Sequence, residues 1–230
     1  MSRFLLVPDL WFAPSIWQPV VALLQRQHEV ILADVFPGDA AEDWIDNVVR
    51  ALEEAQPDTL VVHGTATAVI SNALARVSNL PERIVMVAGL GVAGGRQAML
   101  DELLADNPSN AVRGHVKDRG EQRHLAASVL VEAFYSEVEP VVSNAVGAVT
   151  VDATLFTTPF AAWSADVTLQ YIECVEDQYV HITGQRRFRH SLSIMWTNTL
   201  QTGHLPMLTA PEALTACIAK VGINDSRYNR

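Results

Sequence analysis

Apolar residues in the first 91 positions form short continuous runs that alternate with longer amphipathic segments. Short apolar runs predict buried strands, and apolar residues spaced by three or four positions predict helices. Helix 40–56 has the clearest pattern, since its apolar residues share one stripe and acidic residues crowd its first turns. We predict strands at 3–8, 29–35, 59–64 and 83–91, and helices at 15–27, 40–56 and 68–77.

This alternation predicts the α/β fold class, with a mostly parallel sheet covered by helices on both faces. Ligands of such sheets bind beyond the carboxyl ends of the strands. Chemistry is therefore expected in the loops that follow Val7, Val62 and Ala88.

The alternation stops between about 97 and 166, where segments 94–110 and 122–146 have helical patterns. The sheet pattern resumes with strands at 168–177 and 193–199, and a helix at 210–222 follows. Since strands of one sheet bracket the middle segment, we predict a single domain over 1–230 with a helical lid inserted at about 97–166.

Composition narrows the function classes. With 49% hydrophobic and 18% charged residues, the chain can bury a sizeable core. A net charge of -10 argues against nucleic-acid binding, because no basic surface would attract phosphates. No segment approaches the ~20 apolar residues that span a bilayer. We expect a soluble, cytoplasmic protein whose partner is a small-molecule substrate, and the oligomeric state stays open.

No cofactor is expected. Cys174 and Cys217 lie far apart, so they form neither a metal-type spacing nor a disulfide framework. The glycine-rich segment 89–95 follows the fourth strand instead of the first, which favours a flexible loop over a phosphate-binding loop.

Three segments carry candidate chemistry. The segment "VVHGTATAV" at 61–69 leads from a strand through small residues into a helix, which is the order of a nucleophile elbow, yet it contains no serine. Glu176 and Asp177 follow the apolar strand in "YIECVEDQYV". His204 lies in "TGHLPMLTAPEAL", between the last strand and the last helix.

These segments resemble the α/β-hydrolase superfamily, specifically its small esterase and hydroxynitrile-lyase-like branch. The resemblance covers nearly the whole chain. Residues 3–35 are similar to the opening strand, the oxyanion loop and the second strand of that branch, and 156–188 to the end of its lid and the strand that carries the acid. The most specific match is the histidine loop at 203–214.

The resemblance implies a catalytic triad in the chain order nucleophile, acid, histidine. His204 matches the histidine. Asp177 matches the acid, which orients the imidazole and stabilises its charged form. Glu176 is the alternative acid, because a shift of one residue at the strand end exchanges the two.

The nucleophile position departs from the family pattern in either of two alignments. One puts Thr65 at the tip of the elbow, which keeps a hydroxyl but asks a β-branched residue to adopt a positive φ at a cost of about 1–3 kcal/mol. The other puts Ala66 there, which satisfies the steric rule of the turn and leaves no nucleophile. We favour Thr65 slightly.

The oxyanion loop departs as well, since Pro8-Asp9 stands where the family has His-Gly. The backbone N–H of Leu10 can still donate to an oxyanion. Asp9 either adds negative charge to the pocket, which opposes acyl transfer, or points to solvent. Trp11 and Trp17 are predicted in the pocket wall and the core.

These departures favour an enzyme in which His204, oriented by Asp177, moves protons on a small, largely apolar carbonyl or hydroxyl compound. Thr65 would position the substrate, and Tyr135 with the lid phenylalanines would line the pocket. One alternative is an ester or lactone hydrolase that uses Thr65 or a His204-activated water. Another is an inactive homologue that binds a ligand.

Overall fold

The computed structural model describes residues 1–92, 97–107, 111–112, 114–135, 138, 147–163 and 167–220. Its first part alternates strands and helices as the sequence predicts. A single 3₁₀ turn at Pro14–Trp17 precedes the first helix, whose Pro19 sits in the first turn, where no hydrogen bond is lost. The elements are β1 (Arg3–Val7), α1 (Gln18–Leu24), β2 (Glu29–Leu32), α2 (Ala41–Ala55), β3 (Thr59–His63), α3 (Ala66–Leu74) and β4 (Arg83–Val87).

The inserted segment contains short strands beside its helices, which the helical prediction does not include. Gly120 has φ +68° and lets the chain turn back, so that the strands on either side pair antiparallel. That the segment acts as a lid stays a prediction, and the predicted helices at 94–110 and 122–146 and the loop at 89–95 lie partly outside the described residues. Its elements are β5 (Ala98–Met99), α4 (Leu100–Ala105), β6 (Lys117–Arg119), β7 (Gln122–Leu125), α5 (Ala127–Phe134), β8 (Val149–Asp152), α6 (Thr154–Thr157) and β9 (Pro159–Phe160).

The chain then returns to the main sheet with β10 (Thr168–Cys174), α7 (Ile182–Ser191), β11 (Trp196–Leu200), α8 (Pro206–Thr209) and α9 (Pro211–Ala219). Six parallel strands form this sheet in the order β2-β1-β3-β4-β10-β11. β2 lies at one edge of the sheet, and the next strand, β3, pairs with the opposite side of β1. Because the crossovers are right-handed, α1 lies on one face of the sheet and α2 and α3 lie on the other. Of the helices described, none is long and apolar enough to span a bilayer.

This strand order brings two loops together at the carboxyl edge of the sheet. β1 and β3 are neighbours, and Val7 pairs with Val62. Asp9 and Gly64 each follow two residues after that pair, so the two loops leave the sheet at the same level. This is the kind of crevice in which ligands of open α/β sheets bind.

Candidate active site

The tip of the turn between β3 and α3 is Gly64. Its φ is +56°, whereas Thr65 has an ordinary helical φ of −71° and Ala66 begins α3. The two alignments predicted from the sequence put Thr65 or Ala66 at the tip, and the structure puts the tip at Gly64, one residue before Thr65 and two before Ala66. Glycine takes the left-handed conformation without strain, whereas a β-branched threonine does not. The elbow therefore presents no side chain at its tip.

The carboxylate of Asp9 fills the space above this turn. Its Oδ2 accepts hydrogen bonds from the backbone N–H and the Oγ1–H of Thr65, at 2.5 and 2.7 Å. Its Oδ1 accepts one from the backbone N–H of Trp11 at 3.2 Å. A Cβ placed on Gly64 would lie 2.0 Å from Oδ2. Asp9 is fully buried, so of its two predicted orientations the structure excludes the one that points to solvent.

His204 and Asp177 form a buried pair. The carboxylate of Asp177 can only accept, so Nδ1–H of His204 donates to its Oδ2, at 2.8 Å. The other oxygen of Asp177 accepts the backbone N–H groups of Tyr179 and Val180 at 2.8 and 2.9 Å. Glu176, the alternative acid, is exposed to solvent. The geometry therefore pairs the histidine with Asp177.

A second carboxylate faces the other side of the imidazole. Nε2 of His204 lies 3.7 Å from Oδ2 of Asp9 and has no hydrogen-bond partner among the described residues. Burial lowers the pKa of His204, but Asp177 and Asp9 outweigh burial and raise it to about 9. Burial raises the pKa of Asp9, and His204, His63 and Thr65 together hold it below its ordinary value. The carboxylates on either side of the ring therefore stabilise the protonated form of the imidazole.

His63 supports the backbone of His204. Its Nε2–H donates to the carbonyl oxygen of His204 at 2.8 Å, and the two rings lie tilted by 35° with centroids 4.4 Å apart. Burial, and the charge of His204, lower the pKa of His63 to about 3. It therefore stays neutral and adds no charge to the site.

Aromatic rings enclose the imidazole of His204. The ring centroids of Tyr179, Phe134 and Phe12 lie 5.1, 5.2 and 6.2 Å from its centroid. The indole N–H of Trp11 donates to the hydroxyl of Tyr179 at 2.9 Å. Trp11 and Tyr179 also line a cavity of about 240 Å³, whose described walls include Leu104, Val112, Val116, Phe156 and the Asp101–Arg123 ion pair.

The remaining predicted residues lie around this centre. Leu10 is buried in the loop after β1, but the N–H from that loop that reaches the Asp9 carboxylate belongs to Trp11. Trp17 is buried, with its ring centroid 6.1 Å from that of His63. Tyr135 contacts the ring of Phe12, with centroids 6.2 Å apart.

Sequence reasoning missed Gly64 and Tyr179 as site residues. Gly64 had a readable signal, since a glycine directly after a buried strand and before a helix is the residue that tolerates a positive φ. Tyr179 follows Asp177 by two residues, and only the folded loop shows that its ring contacts His204.

The two histidines give the stability a definite pH dependence. The folded pKa of His204 lies above its unfolded value of 6.5, so its contribution is present below pH 6.5 and is lost as the pH rises through about 9. From this shift we expect the free energy of unfolding to fall by about 3 kcal/mol over that window. Below pH 6.5 stability should fall again, because His63 stays neutral in the folded protein while it gains a proton in the unfolded chain.

Urea denaturation at a series of pH values measures this profile. The variant His204→Gln removes the titrating group and should lose most of the fall on the alkaline side. A wild-type profile that is flat from pH 6.5 to 9 would show that His204 is neutral in the folded protein.

With the geometry described, comparison with known proteins identifies the family. The model of the alpha/beta hydrolase family matches residues 4–216. The chain belongs to this family. No curated protein matches the sequence.

Solved structures share the fold over nearly its whole length. The pyrethroid hydrolase of Sphingobium faniae JZ-2 has a TM-score of 0.76 and 19% identity, covering 95% of this chain and 96% of that one. Polyneuridine aldehyde esterase has a TM-score of 0.80 at 14% identity, with 95% and 98% covered. Tomato methylketone synthase I, in complex with 2-tridecanone, has a TM-score of 0.72 at 14% identity, with 94% and 95% covered. At these identities the likeness shows the fold alone.

Proposed function

We propose that the protein is an enzyme that transfers protons on a small, largely apolar carbonyl or hydroxyl compound, with His204 as the acid/base group and Asp177 as its partner. The observation that carries this proposal is the buried 2.8 Å pair beside an elbow whose tip, Gly64, has no side chain to attack a substrate. Elimination, carbon–carbon cleavage and cyclisation of carbonyl compounds all suit such a site, since each can pass through an enol.

The contacts of Thr65 argue against an acyl-enzyme. Its Oγ1–H and its backbone N–H both donate to Asp9, so the hydroxyl proton points at a carboxylate instead of at His204. The negative charge of Asp9 also opposes an oxyanion at this place. Hydrolysis by Thr65 is therefore the weaker candidate, as is hydrolysis through a water activated by His204, because either route forms an oxyanion beside the Asp9 carboxylate.

Two observations support a small carbonyl substrate. The cavity of about 240 Å³ is lined by Trp11 and Tyr179, which contact Asp9 and His204, while Asp9 and His204 are not among its described walls. It is smaller than the roughly 300–1,000 Å³ of pockets for drug-sized ligands. A relative with the same fold, tomato methylketone synthase I, binds the ketone 2-tridecanone. A cytoplasmic location and a reaction without a cofactor stay predictions from the sequence.

Exchange of α-protons in D₂O tests this function without knowledge of the natural substrate. Phenylacetone and cyclohexanone are incubated with the protein, and ¹H NMR follows the loss of their α-protons. We expect the wild type to exceed buffer, and His204→Gln to lower the enzymatic rate by about 10²–10⁴-fold, the usual contribution of general acid–base catalysis.

A matched control is His190→Gln, which changes an exposed histidine on α7 and should leave the rate unchanged. If the wild type exchanges no faster than buffer, or if His204→Gln retains the rate, the proposed function is wrong.

A further inference from the structure

The carboxylate of Asp9 occupies the position of the side chain that the elbow lacks. Oδ2 lies 2.0 Å from the place of a Cβ on Gly64, where the first side-chain atom of a nucleophile would stand. It also lies on the Nε2 side of His204, at 3.7 Å. A proton acceptor and a proton donor of opposite charge therefore stand side by side at one point of the site.

We propose that Asp9 is a second catalytic residue, which removes a proton from the carbon next to a carbonyl group while His204 donates a proton to the carbonyl oxygen. This inference rests on the proposed function and narrows its substrate class to small ketones and β-dicarbonyl compounds that enolise.

Asp9 and His204 together account for every proton and electron pair in this enolisation. The C–H bond breaks and its proton goes to Asp9, its electron pair forms the C=C bond, and the carbonyl π electrons form the new O–H bond with the proton from Nε2 of His204. The product is a neutral enol, a neutral imidazole and a protonated carboxyl. No oxidant, reductant or co-reactant is needed.

The hydrogen bonds of the site favour an enol over an enolate. In an ordinary elbow, the N–H that follows the nucleophile stabilises an oxyanion. Here the corresponding N–H, that of Thr65, is taken by Asp9. A negatively charged substrate oxygen would face the carboxylate of Asp9 instead of a hydrogen-bond donor. Protonation of that oxygen by His204 therefore has to accompany removal of the α-proton.

The resting state is restored by transfer from Asp9 back to His204. The pKa of Asp9 lies below its ordinary value and that of His204 is raised to about 9, so the proton moves downhill to the imidazole. The atoms that exchange it are 3.7 Å apart in the resting structure.

The groups that hold Asp9 form a carboxylate-binding site, and this makes the inference testable by chemical rescue. In Asp9→Gly, the N–H groups of Thr65 and Trp11, the Thr65 hydroxyl and His204 are free to bind a small carboxylate from solution. We expect α-proton exchange to fall about 100-fold or more, within the usual contribution of a general base, and to recover saturably with acetate but not with equal chloride. Fluoroacetate, similar in size and a weaker base, should give a lower saturating rate.

Asp9→Asn is the matched control, because its amide fills the site and should leave the variant slow and insensitive to acetate. The Asp9→Asn variant also tests the catalytic role of Asp9 if Asp9→Gly does not fold. Exchange by Asp9→Asn within twofold of the wild type, while His204→Gln stays slow, would overturn the role of Asp9 and leave the proposed function intact. Equal saturating rates with acetate and fluoroacetate would also overturn it, by reducing Asp9 to an electrostatic partner. A wild type without exchange would overturn both.

Discussion

Replacing Asp177 by alanine should lower the free energy of unfolding by about 3–5 kcal/mol at neutral pH, because it leaves the buried imidazolium of His204 without its main counter-charge. The backbone N–H groups of Tyr179 and Val180 would lose their acceptor as well. Urea denaturation measures the change. Proton-transfer activity should be lost with it, since the imidazole is no longer oriented.

Two further variants sharpen this prediction. Asp177→Asn keeps an acceptor for the two N–H groups but loses the charge, so it should cost less stability while activity still falls. Glu176→Ala removes the neighbouring, exposed carboxylate and should change stability by no more than about 0.5 kcal/mol. Equal losses for Asp177→Ala and Glu176→Ala would show that the acid of this site is not Asp177.

The sheet and the residue pair at its edge follow from local patterns in the sequence. Apolar runs between amphipathic segments predict the strands β1 to β4 within a few residues. The signal is clearest for β1, β3 and β4, because these strands are almost entirely buried and therefore mostly apolar. His204 and Asp177 are predictable because each follows a strand in the chain order of a known triad. The structure brings these two together at 2.8 Å.

The turn and the oxyanion loop could not be predicted to the residue. Whether Gly64, Thr65 or Ala66 forms the tip depends on a difference of one or two residues in where β3 ends, and strand patterns do not resolve element ends so finely. The orientation of Asp9 depends on hydrogen bonds to Thr65, 56 residues away in the chain. In the inserted segment, β7 pairs with β8, which is likewise a contact between residues distant in the chain. The apolar residues of β7 and the segment after it are spaced as in a helix, so the sequence pattern predicts a helix there.

Restoring a serine to the elbow should fail unless Asp9 is removed as well. Gly64→Ser alone puts a Cβ 2.0 Å from the Asp9 carboxylate and forces a non-glycine residue to the φ of +56°. We expect it to lower the free energy of unfolding by about 2–5 kcal/mol, from the left-handed conformation and from overpacking together. Its hydroxyl should not react with a fluorophosphonate, because Asp9 still occupies the oxyanion site.

The double variant Asp9→Gly/Gly64→Ser removes the clash and frees the N–H of Thr65 for an oxyanion. His204 and Asp177 then stand beside a hydroxyl in the arrangement of a serine hydrolase. We expect at least part of the stability lost in Gly64→Ser to return, together with reactivity toward fluorophosphonates and slow hydrolysis of p-nitrophenyl acetate. Asp9→Gly alone serves as the control and should acquire neither reactivity.

The central claim is that this elbow carries no nucleophile and that Asp9 occupies the position of the missing side chain. The most direct test is to incubate the wild type and the double variant with a fluorophosphonate and to measure their intact masses. The claim predicts an unchanged mass for the wild type and one adduct on the double variant, at position 64. An adduct on Thr65 of the wild type, abolished by His204→Gln, would contradict it and establish an acyl-transfer enzyme.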